Sequence, residues 1–464
     1  MQEDRPEAEN SCKRSLAEIR INDGTASRHR RDYQFKKKCK MLERITDRRN
    51  IEKALIAVER NGGAAGIDNL QSDELRQFLY THYQDMRQQI LKGAYKPNPV
   101  RKVEIPKPQG GVRMLGIPTV TDRMLQQAIH QVLSPVYEEQ FDRNSFGFRP
   151  GKNAQQAVET AKEYINAGYD WIIELDLEKF FDKVNHQKLM ALLSNTVEDK
   201  RTLKLINAYL RSGIMEGGTV SQRIEGTPQG SPLSPLLSNI MLHELDKELN
   251  KRGHKFVRYA DDCSIYVRSE KSAKRVAESI TGYIEKKLLL KVNREKTRIS
   301  RPIESQLLGF SFYKNKEGYE IRISKKSLKR IKEKCKRITK SSDPTPERAK
   351  LKKLEAVIRG WVNYFKIAKA KSNMQRLDEM IRTRLRIATW RRWKRIKTKV
   401  SNLIKSGIAK SRAYMWGNSS KGACRLAHSP VLCRTLSIEH WRKAGYIGFY
   451  DYYYQQTDGQ PSLF

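Results

Sequence analysis

Two short apolar segments on either side of an acidic pair constrain the fold most strongly. Residues 256–267 read Phe-Val-Arg-Tyr-Ala-Asp-Asp-Cys-Ser-Ile-Tyr-Val, so aromatic and β-branched residues flank Asp261 and Asp262. Because acidic residues are poor strand formers, this pattern predicts a tight turn between two strands. A second apolar segment, residues 171–177, contains Asp176 and predicts a third strand. An isolated Asp-Asp pair is more often a solvated turn, but the flanking strands favour a sheet edge near a core.

Three carboxylates from two strands suit a particular chemistry. Adjacent carboxylates repel each other unless a proton or a cation offsets their charge. Mg²⁺ takes hard oxygen ligands, few of them from the protein and the rest from water or substrate phosphate. Two such ions about 4 Å apart stabilise the attacking and leaving oxygens in phosphoryl transfer. Asp176, Asp261 and Asp262 are therefore candidate metal ligands for nucleotidyl transfer.

The positive charge of the chain indicates a polyanionic partner. The 464 residues carry 91 Lys and Arg against 52 Asp and Glu, a formal net charge of +39. Residues 321–400 alone hold 28 basic and 6 acidic residues. Membrane-binding proteins more often concentrate their charge in one amphipathic helix or a short tail, so nucleic acid is the favoured partner.

Other sequence features exclude several classes of protein. Six cysteines form no C-x-x-C pair, which disfavours a zinc ribbon or a dithiol redox site. Cys424, His428 and Cys433 lie close together without a fourth ligand, so ordinary packing is favoured over metal binding. No apolar run approaches the ~18 residues of a transmembrane helix, and the acidic start does not resemble a secretory signal. We expect a soluble, intracellular protein.

The apolar periodicity predicts a mixed region followed by a helical one. Hairpins are predicted over 100–118 and 307–323. Ser234-Pro235 is predicted to supply the N-cap and first turn of a helix. Beyond residue 325 the pattern is helical and basic to about Lys399, with a break at 341–346. Helices are predicted over 41–58, 73–91, 121–133, 153–165, 188–210, 234–248 and 275–289.

Eight blocks in a fixed order resemble those of the group II intron reverse transcriptase/maturase family. The resemblance extends from about Asn61 to Tyr454, and it depends on the order of the blocks because each block alone is weak or moderate support. The blocks are Asn-Gly-Gly-Ala-Ala-Gly-Ile-Asp (61–68), Ile-Pro-Lys-Pro through Asp-Arg (105–123), Ser-Phe-Gly-Phe-Arg-Pro-Gly (145–151), Leu-Asp-Leu-Glu-Lys-Phe-Phe-Asp (175–182), Gly-Thr-Pro-Gln-Gly-Ser-Pro-Leu-Ser-Pro (226–235), Tyr-Ala-Asp-Asp (259–262), Asn-Arg-Glu-Lys-Thr (293–297) and Leu-Gly-Phe (308–310).

The resemblance implies an α+β fold of the right-hand polymerase type. The palm is expected to contain an antiparallel sheet, and an all-helical basic thumb/maturase domain is expected to follow it. The C-terminal end looks like the form of the family without an HNH endonuclease domain. The implied domains are an N-terminal extension (1–40), fingers (41–165), palm (166–325), thumb or domain X (326–400) and a C-terminal region with a possible DNA-binding segment (401–464).

The resemblance also assigns roles at the catalytic site. Asp176, Asp261 and Asp262 match the catalytic metal ligands, with Leu177 as a further metal-binding position. The implied cofactor is Mg²⁺ as two ions, with Mn²⁺ as a possible substitute. Phe181 matches the residue that would exclude a ribose 2′-hydroxyl, although both Phe180 and Phe181 would also suit a core. The implied dNTP-binding residues are Lys107, Arg113, Phe180, Phe181, Gln229, Gly230 and Lys296.

A further group of residues is implied to contact the primer and template. Gly309 and Phe310 resemble the primer-grip hairpin, although packing explains Phe310 nearly as well. The basic residues Lys325, Lys326, Arg330, Arg391 and Arg392 would track phosphates.

The expected function is RNA-directed DNA polymerisation combined with assistance to intron splicing. The expected partners are template and intron RNA, DNA primer or target, and dNTPs, but no membrane; the oligomeric state is open. We expect a cytoplasmic location, with association to a bacterial nucleoid. Two alternatives stay open: a splicing factor with a vestigial polymerase site, and a free-standing cellular or defence reverse transcriptase without an intron.

Overall fold

The computed structural model describes residues 40–106 and 111–457, which form two compact units. Unit 1 comprises 40–152, Ile173–Ile265 and Lys274–Arg298 within these described residues. Unit 2 comprises Asn153–Ile172, Tyr266–Ala273 and 299–457. The predicted N-terminal extension lies, except for Lys40, outside the described residues.

Helices dominate the described residues, and they carry most of the buried apolar side chains. In chain order they are α1 (Met41–Ile45), α2 (Arg48–Asn61), α3 (Leu75–Leu91), α4 (Val120–Glu138), α5 (Ala154–Asn166), α6 (Phe180–Lys183), α7 (His186–Ser194), α8 (Lys200–Arg211), α9 (Ser234–Lys251), α10 (Glu270–Lys287), α11 (Lys325–Ile338), α12 (Glu347–Phe365), α13 (Lys371–Arg392), α14 (Ile396–Lys405), α15 (Lys410–Gly417), α16 (Ala423–Leu426), α17 (Pro430–Thr435), α18 (Ile438–Lys443) and α19 (Phe449–Thr457).

The strands of the described residues are short and form three sheets. They are β1 (Val100–Pro106), β2 (Val112–Ile117), β3 (Trp171–Leu175), β4 (Ile214–Glu216), β5 (Thr219–Ser221), β6 (Lys255–Tyr259), β7 (Asp262–Val267), β8 (Arg298–Ser300), β9 (Gln306–Leu307), β10 (Phe310–Lys314) and β11 (Tyr319–Ile323).

The first sheet, in unit 1, has the order β2-β1-β4-β5. The antiparallel pairing of β1 with β2 confirms the predicted hairpin over 100–118. Strands β4 and β5 were not predicted, because two three-residue strands carry too little alternation to be recognised from the sequence. Strand β4 pairs with β1 in parallel, with Val100 opposite Ile214. This pairing ties the hairpin to a distant part of the chain.

The second sheet has the order β6-β7-β3-β8 and contains the three strands predicted around the aspartates. Only Ala260 and Asp261 separate β6 from β7. A two-residue connection can join only antiparallel neighbours, so these strands form a hairpin. Because β7 lies directly beside β3, the turn after β6 and the end of β3 are brought to the same part of the sheet.

In unit 2 a three-stranded sheet, β11-β10-β9, packs with helices. The antiparallel β10–β11 pair confirms the predicted late hairpin. Helix α5 begins at a capping box, in which the Asn153 side chain accepts from the Gln156 amide and Gln156 reaches back to the Asn153 amide. Helices α11, α12 and α13 follow, and the predicted break near 341–346 lies between α11 and α12.

Three of the helix predictions are wrong in detail. The single helix predicted over 41–58 is two helices, because the Asp47 side chain accepts from the Arg49 amide and caps α2. The single helix over 188–210 is likewise two, since Asp199 caps α8 through the Arg201 amide. Ser234 is not the N-cap of α9 but its first residue, and its hydroxyl donates to the carbonyl of Pro228 at 2.8 Å.

Within residues 40–106 and 111–457 we find no helix that combines the length and the apolar character needed to cross a membrane.

Candidate active site

The turn between β6 and β7 presents the acidic pair. Ala260 has a φ of 57°, a left-handed conformation that non-glycine residues seldom adopt. Asp261 follows it in the turn and is partly buried, while Asp262 is the first residue of β7 and is exposed. The tight turn therefore places the two carboxylates at the end of the hairpin.

Asp176 follows β3 directly, and its backbone is held on both sides. Its amide donates to Oγ1 of Thr297 at 3.2 Å, and its carbonyl accepts from the Asn293 amide at 2.8 Å. The side chain is 36% exposed, and its Oδ2 lies 3.5 Å from Nζ of Lys296. The block that contains Asn293 and Lys296 thus positions Asp176 and neutralises part of its charge.

A cleft of about 1000 Å³ in unit 1 brings most of the predicted catalytic residues together. Gly230 lies instead in an adjoining cavity of about 470 Å³, which Phe181, Arg113 and Gln229 also line. Asp262, which the sequence predicts as a metal ligand, is not among the cleft-lining residues. The predicted residues that line the cleft are Arg113, Asp176, Leu177, Phe180, Phe181, Gln229, Asp261 and Lys296.

Burial and neighbouring negative charges raise the pKa values of Asp261 and Asp262. Burial is the main cause of the raised pKa of Asp261, and the negative charge of Asp176 adds to it. A hydrogen bond from the backbone amide of Asp261 and the positive charges of Arg113 and Arg258 lower the pKa in opposition. Partial removal of water raises the pKa of Asp262 to about 6, with the negative charges of Asp261, Asp176 and Glu174 adding to the effect. A nearby cation would relieve this repulsion.

The donor chemistry of the site fits a hard divalent cation. Asp176 and Asp261 offer carboxylate oxygens to one cleft, and the buried Leu177 has only its backbone carbonyl to offer. Within the described residues, no group of three or more His, Cys, Asp or Glu side chains is assembled closely enough to hold a metal ion. The ligand types are therefore suitable, but the carboxylates are not gathered into a finished metal site.

The two adjacent phenylalanines differ in their surroundings. Phe180 is 3% exposed and belongs to the core. Phe181 is only partly buried and lines the cleft, and its ring meets the Phe180 ring edge-on at 5.4 Å between centroids. Phe181 thus stands where a bound sugar could meet it, but its role as the gate stays a prediction.

The loop that carries Gln229 is fastened to the first sheet. The Gly116 amide donates to the carbonyl of Gln229 at 2.9 Å, and Nε of Arg113 donates to Oε1 of Gln229 at 2.9 Å. Gly230 has a φ of 112°, which favours glycine at this position. Lys107 lies outside the described residues.

The predicted primer-grip residues lie in unit 2. The φ of Gly309 is 85°, and its carbonyl accepts from the hydroxyl of Ser327 at 2.9 Å. Phe310 is fully buried, with its ring 4.8 Å from that of Phe365 and 5.5 Å from that of Tyr364. Packing therefore accounts for Phe310, while Gly309 joins the hairpin to α11.

The predicted phosphate-tracking residues fall into two groups. Lys325, Lys326 and Arg330 are exposed on α11. Arg391 and Arg392 are exposed at the end of α13, where Arg391 donates to the hydroxyl of Ser341 at 2.7 Å and Arg392 pairs with Glu347 at 3.2 Å. The group on α11 is therefore better suited to contact phosphate than the group on α13, whose side chains bind Ser341 and Glu347.

Three basic residues in the cleft were not singled out from the sequence. Lys179 lies in the block 175–182 and Arg294 in the block 293–297, and membership of these blocks would have identified both residues. Lys291, which pairs with Glu178 at 3.0 Å, gives no such signal because lysines are common throughout the chain.

Two family models match this chain. One, described as "Reverse transcriptase (RNA-dependent DNA polymerase)", matches residues 105–312. The other, described as "Group II intron, maturase-specific domain", matches residues 328–407. The first range contains the three candidate catalytic aspartates, and the second contains most of the basic helical region.

Similar proteins are found among curated sequences and solved structures. "Protein YkfC" of Escherichia coli is 32% identical over 53% of this chain and 75% of its own length. "Group II intron-encoded protein LtrA" of Lactococcus lactis is 33% identical over 54% of this chain, but the match spans only 43% of LtrA. A chain of a "Partial Cas6-RT-Cas1--Cas2 complex" is 26% identical over 53% of this chain and 42% of that chain, with a TM-score of 0.34, too low to compare the folds.

The two models match in the order that the sequence blocks predict, and YkfC aligns over most of its length. The chain therefore belongs to the group II intron reverse transcriptase/maturase family.

Proposed function

We propose that this chain is an RNA-directed DNA polymerase that copies RNA into cDNA and also binds group II intron RNA to assist its splicing. The observation that carries the polymerase role is the shared cleft. Asp176, Asp261 and Phe181 line it together with basic residues that suit a triphosphate. Membership of the family supports the same reaction.

The acidic residues of the cleft would hold the cofactor. Asp176, Asp261 and the carbonyl of Leu177 would bind two Mg²⁺ ions, with Asp262 in support and Mn²⁺ as a substitute. When bound, the ions supply positive charge to the attacking and leaving oxygens. The carboxylates are not assembled beforehand, so we expect them to approach each other when substrate and metal bind.

Other cleft residues would bind and select the nucleotide. Arg113 can contact phosphates through two parallel hydrogen bonds, and Lys296 would give a proton to the departing pyrophosphate. The ring of Phe181 would collide with a 2′-hydroxyl and so favour dNTPs. Gln229 and Gly230 would form the wall of the nucleotide pocket.

The basic helical region would bind the nucleic acid backbone. We assign the fingers to 41–165, the palm to 166–325, the thumb to 326–400 and a C-terminal, DNA-contacting region to 401–464. The maturase-specific match over residues 328–407 favours a role in splicing over polymerisation alone. The charge of this region suits either intron or template RNA.

Primer extension on an RNA template tests the catalytic proposal. With Mg²⁺ and dNTPs, the wild-type chain should make cDNA, and Asp261→Ala should reduce the rate by about 100- to 1000-fold, since a charge-stabilising group is lost. Asp85→Ala, which removes an exposed carboxylate on α3, is the matched control and should keep the wild-type rate.

The affinity for RNA separates chemistry from binding. Asp261→Ala should bind the primer–template within about threefold of the wild type, because the basic surface is intact. An inactive wild-type chain with normal RNA affinity would instead support the vestigial-site alternative.

A further inference from the structure

Arg258, on β6 and three residues before Asp261, is a fully buried charge. Its Nε and Nη2 donate to the two carboxylate oxygens of Asp246 on α9, at 2.7 and 2.5 Å. Both side chains are 0% exposed. A buried ion pair is costly to desolvate and seldom adds much stability, so its location beside the acidic turn suggests a task other than stability.

The third nitrogen of the guanidinium holds the turn itself. Nη1 of Arg258 donates to the carbonyl of Ala260 at 3.0 Å and to Oδ1 of Asn239 at 3.0 Å. The Ala260 carbonyl belongs to the peptide that leads into Asp261. A charged donor on this carbonyl fixes the orientation of the peptide and stabilises the left-handed conformation of Ala260.

Gly147 lies directly against the backbone of the turn. Nδ2 of Asn239 donates to its carbonyl at 2.8 Å, which joins Gly147 to the same network. A Cβ at this position would collide with the amide nitrogen of Ala260 and lie 2.9 Å from the carbonyl carbon of Tyr259. The neighbouring Phe146 amide donates to the carbonyl of Arg258 at 2.8 Å.

We propose that Arg258, held by Asp246 and Asn239, is a positioning residue that aims Asp261 into the cleft. The close contact of Gly147 with Ala260 also restrains the backbone of the turn that carries Asp261. This inference rests on the proposed polymerase function. Because neither Arg258 nor Gly147 lines the cleft, they should affect the rate of the reaction rather than the binding of substrates.

Arg258→Lys is the informative variant. Lysine keeps a positive charge beside Asp246, so no buried carboxylate is left unpaired, but one ammonium group cannot also reach Ala260 and Asn239. We expect kcat per active site in primer extension to fall about 100-fold, the effect of a misplacement near 1 Å. The KM for dNTP and the Kd for primer–template should stay within about threefold of the wild type.

Gly147→Ala provides a second route to the same result. It should lower kcat and leave the KM for dNTP unchanged. In the double variant, kcat should fall by less than the product of the two single-variant reductions, because both residues act on one turn. Gly282→Ala on α10 is the matched control, since an added Cβ there meets no atom within 4 Å. Thermal unfolding and active-site titration correct each rate for the folded fraction.

The outcomes separate this inference from the proposed function. If the wild type makes no cDNA, the proposed function fails and the inference fails with it. If the wild type is active and both variants keep its kcat, or lose activity only in proportion to the folded fraction, the positioning role is wrong while the polymerase proposal stands.

Discussion

At the scale of single residues, similar amino acids near the cleft have different tasks. Phe180 and Phe181 are adjacent and both line the cleft, yet Phe180 is buried and Phe181 is only partly buried. From the sequence, both side chains would suit a core, so the pattern alone does not distinguish them. The structure identifies the buried one as Phe180.

Replacing Phe181 with valine should relax sugar selection. The smaller side chain leaves room for a 2′-hydroxyl, so the ratio of rNTP to dNTP incorporation should rise by about 10-fold or more. Single-nucleotide extension with each nucleotide measures this ratio. Phe78→Val on α3 is the control, and equal ratios in the two variants would remove Phe181 from the gate role.

The position of the acidic turn between two strands could be predicted from the sequence, but the contacts that support the turn could not. An acidic pair between two apolar segments is a strong local signal. Arg258 gives no such signal, because a charged residue within a strand normally indicates an exposed face. Its partner Asp246 lies 12 positions earlier on the helix α9, outside the strand pattern, so only the fold shows the pair.

At the scale of elements, α11 has two sharply different faces. Ser327, Ile331 and Cys335 are buried at a spacing of four residues, and the Ser324 side chain caps the helix by accepting from the Ser327 amide. The remaining surface is exposed and almost entirely basic, with Glu333 paired to Lys336 at 2.9 Å. The buried face attaches the helix and leaves the other face to a phosphate backbone.

Neutralising this face should weaken nucleic acid binding in a salt-dependent way. The triple change of Lys325, Lys326 and Arg330 to Gln should reduce the slope of log affinity against log salt by about 2 to 3, because each lost phosphate contact contributes roughly 0.7 to 0.9. Fluorescence anisotropy with a labelled primer–template across salt concentrations measures this slope.

An equal loss of charge elsewhere provides the comparison. Lys271, Lys286 and Lys287 are exposed on α10, and their triple change to Gln should leave the slope nearly unaltered. Matching losses in both variants would mean that binding follows the overall charge rather than α11.

The hairpins were the most predictable elements. Each joins strands through a short turn, so a local pattern contains all the necessary information. The helix breaks at Asp47 and Asp199 were missed although both are good N-caps, because the apolar periodicity continues across them. The Asp199 carboxylate also accepts from the Leu42 amide at 2.9 Å, a contact between distant segments that no local pattern predicts.

At the scale of the whole molecule, the densest positive charge and the predicted catalytic residues lie in different parts of the chain. The net charge of +39 is densest in residues 321–400, whereas the predicted catalytic aspartates lie between 176 and 262. The reverse transcriptase and maturase-specific matches divide in the same way. Polymerisation and RNA binding should therefore be separable by mutation.

The two activities can be compared in one substrate. If the coding sequence lies within a group II intron, Asp261→Ala should still assist splicing of that intron RNA, while the α11 triple variant should lose that assistance. Splicing of a transcript with flanking exons, at a Mg²⁺ concentration too low for the RNA alone, measures both. A coding sequence that lies outside any intron would favour the free-standing reverse transcriptase instead.

The parallel pairing of Val100 with Ile214 has a consequence for how the protein is made. During synthesis the β1–β2 hairpin ends at Ile117, but β4, the neighbour of β1, begins only at Ile214. Until then the hairpin presents an unpaired edge, which is a hazard for aggregation. Long-range pairing of this kind also slows folding, so the ribosome-bound chain should become protease-resistant here only after β4 and β5 have emerged.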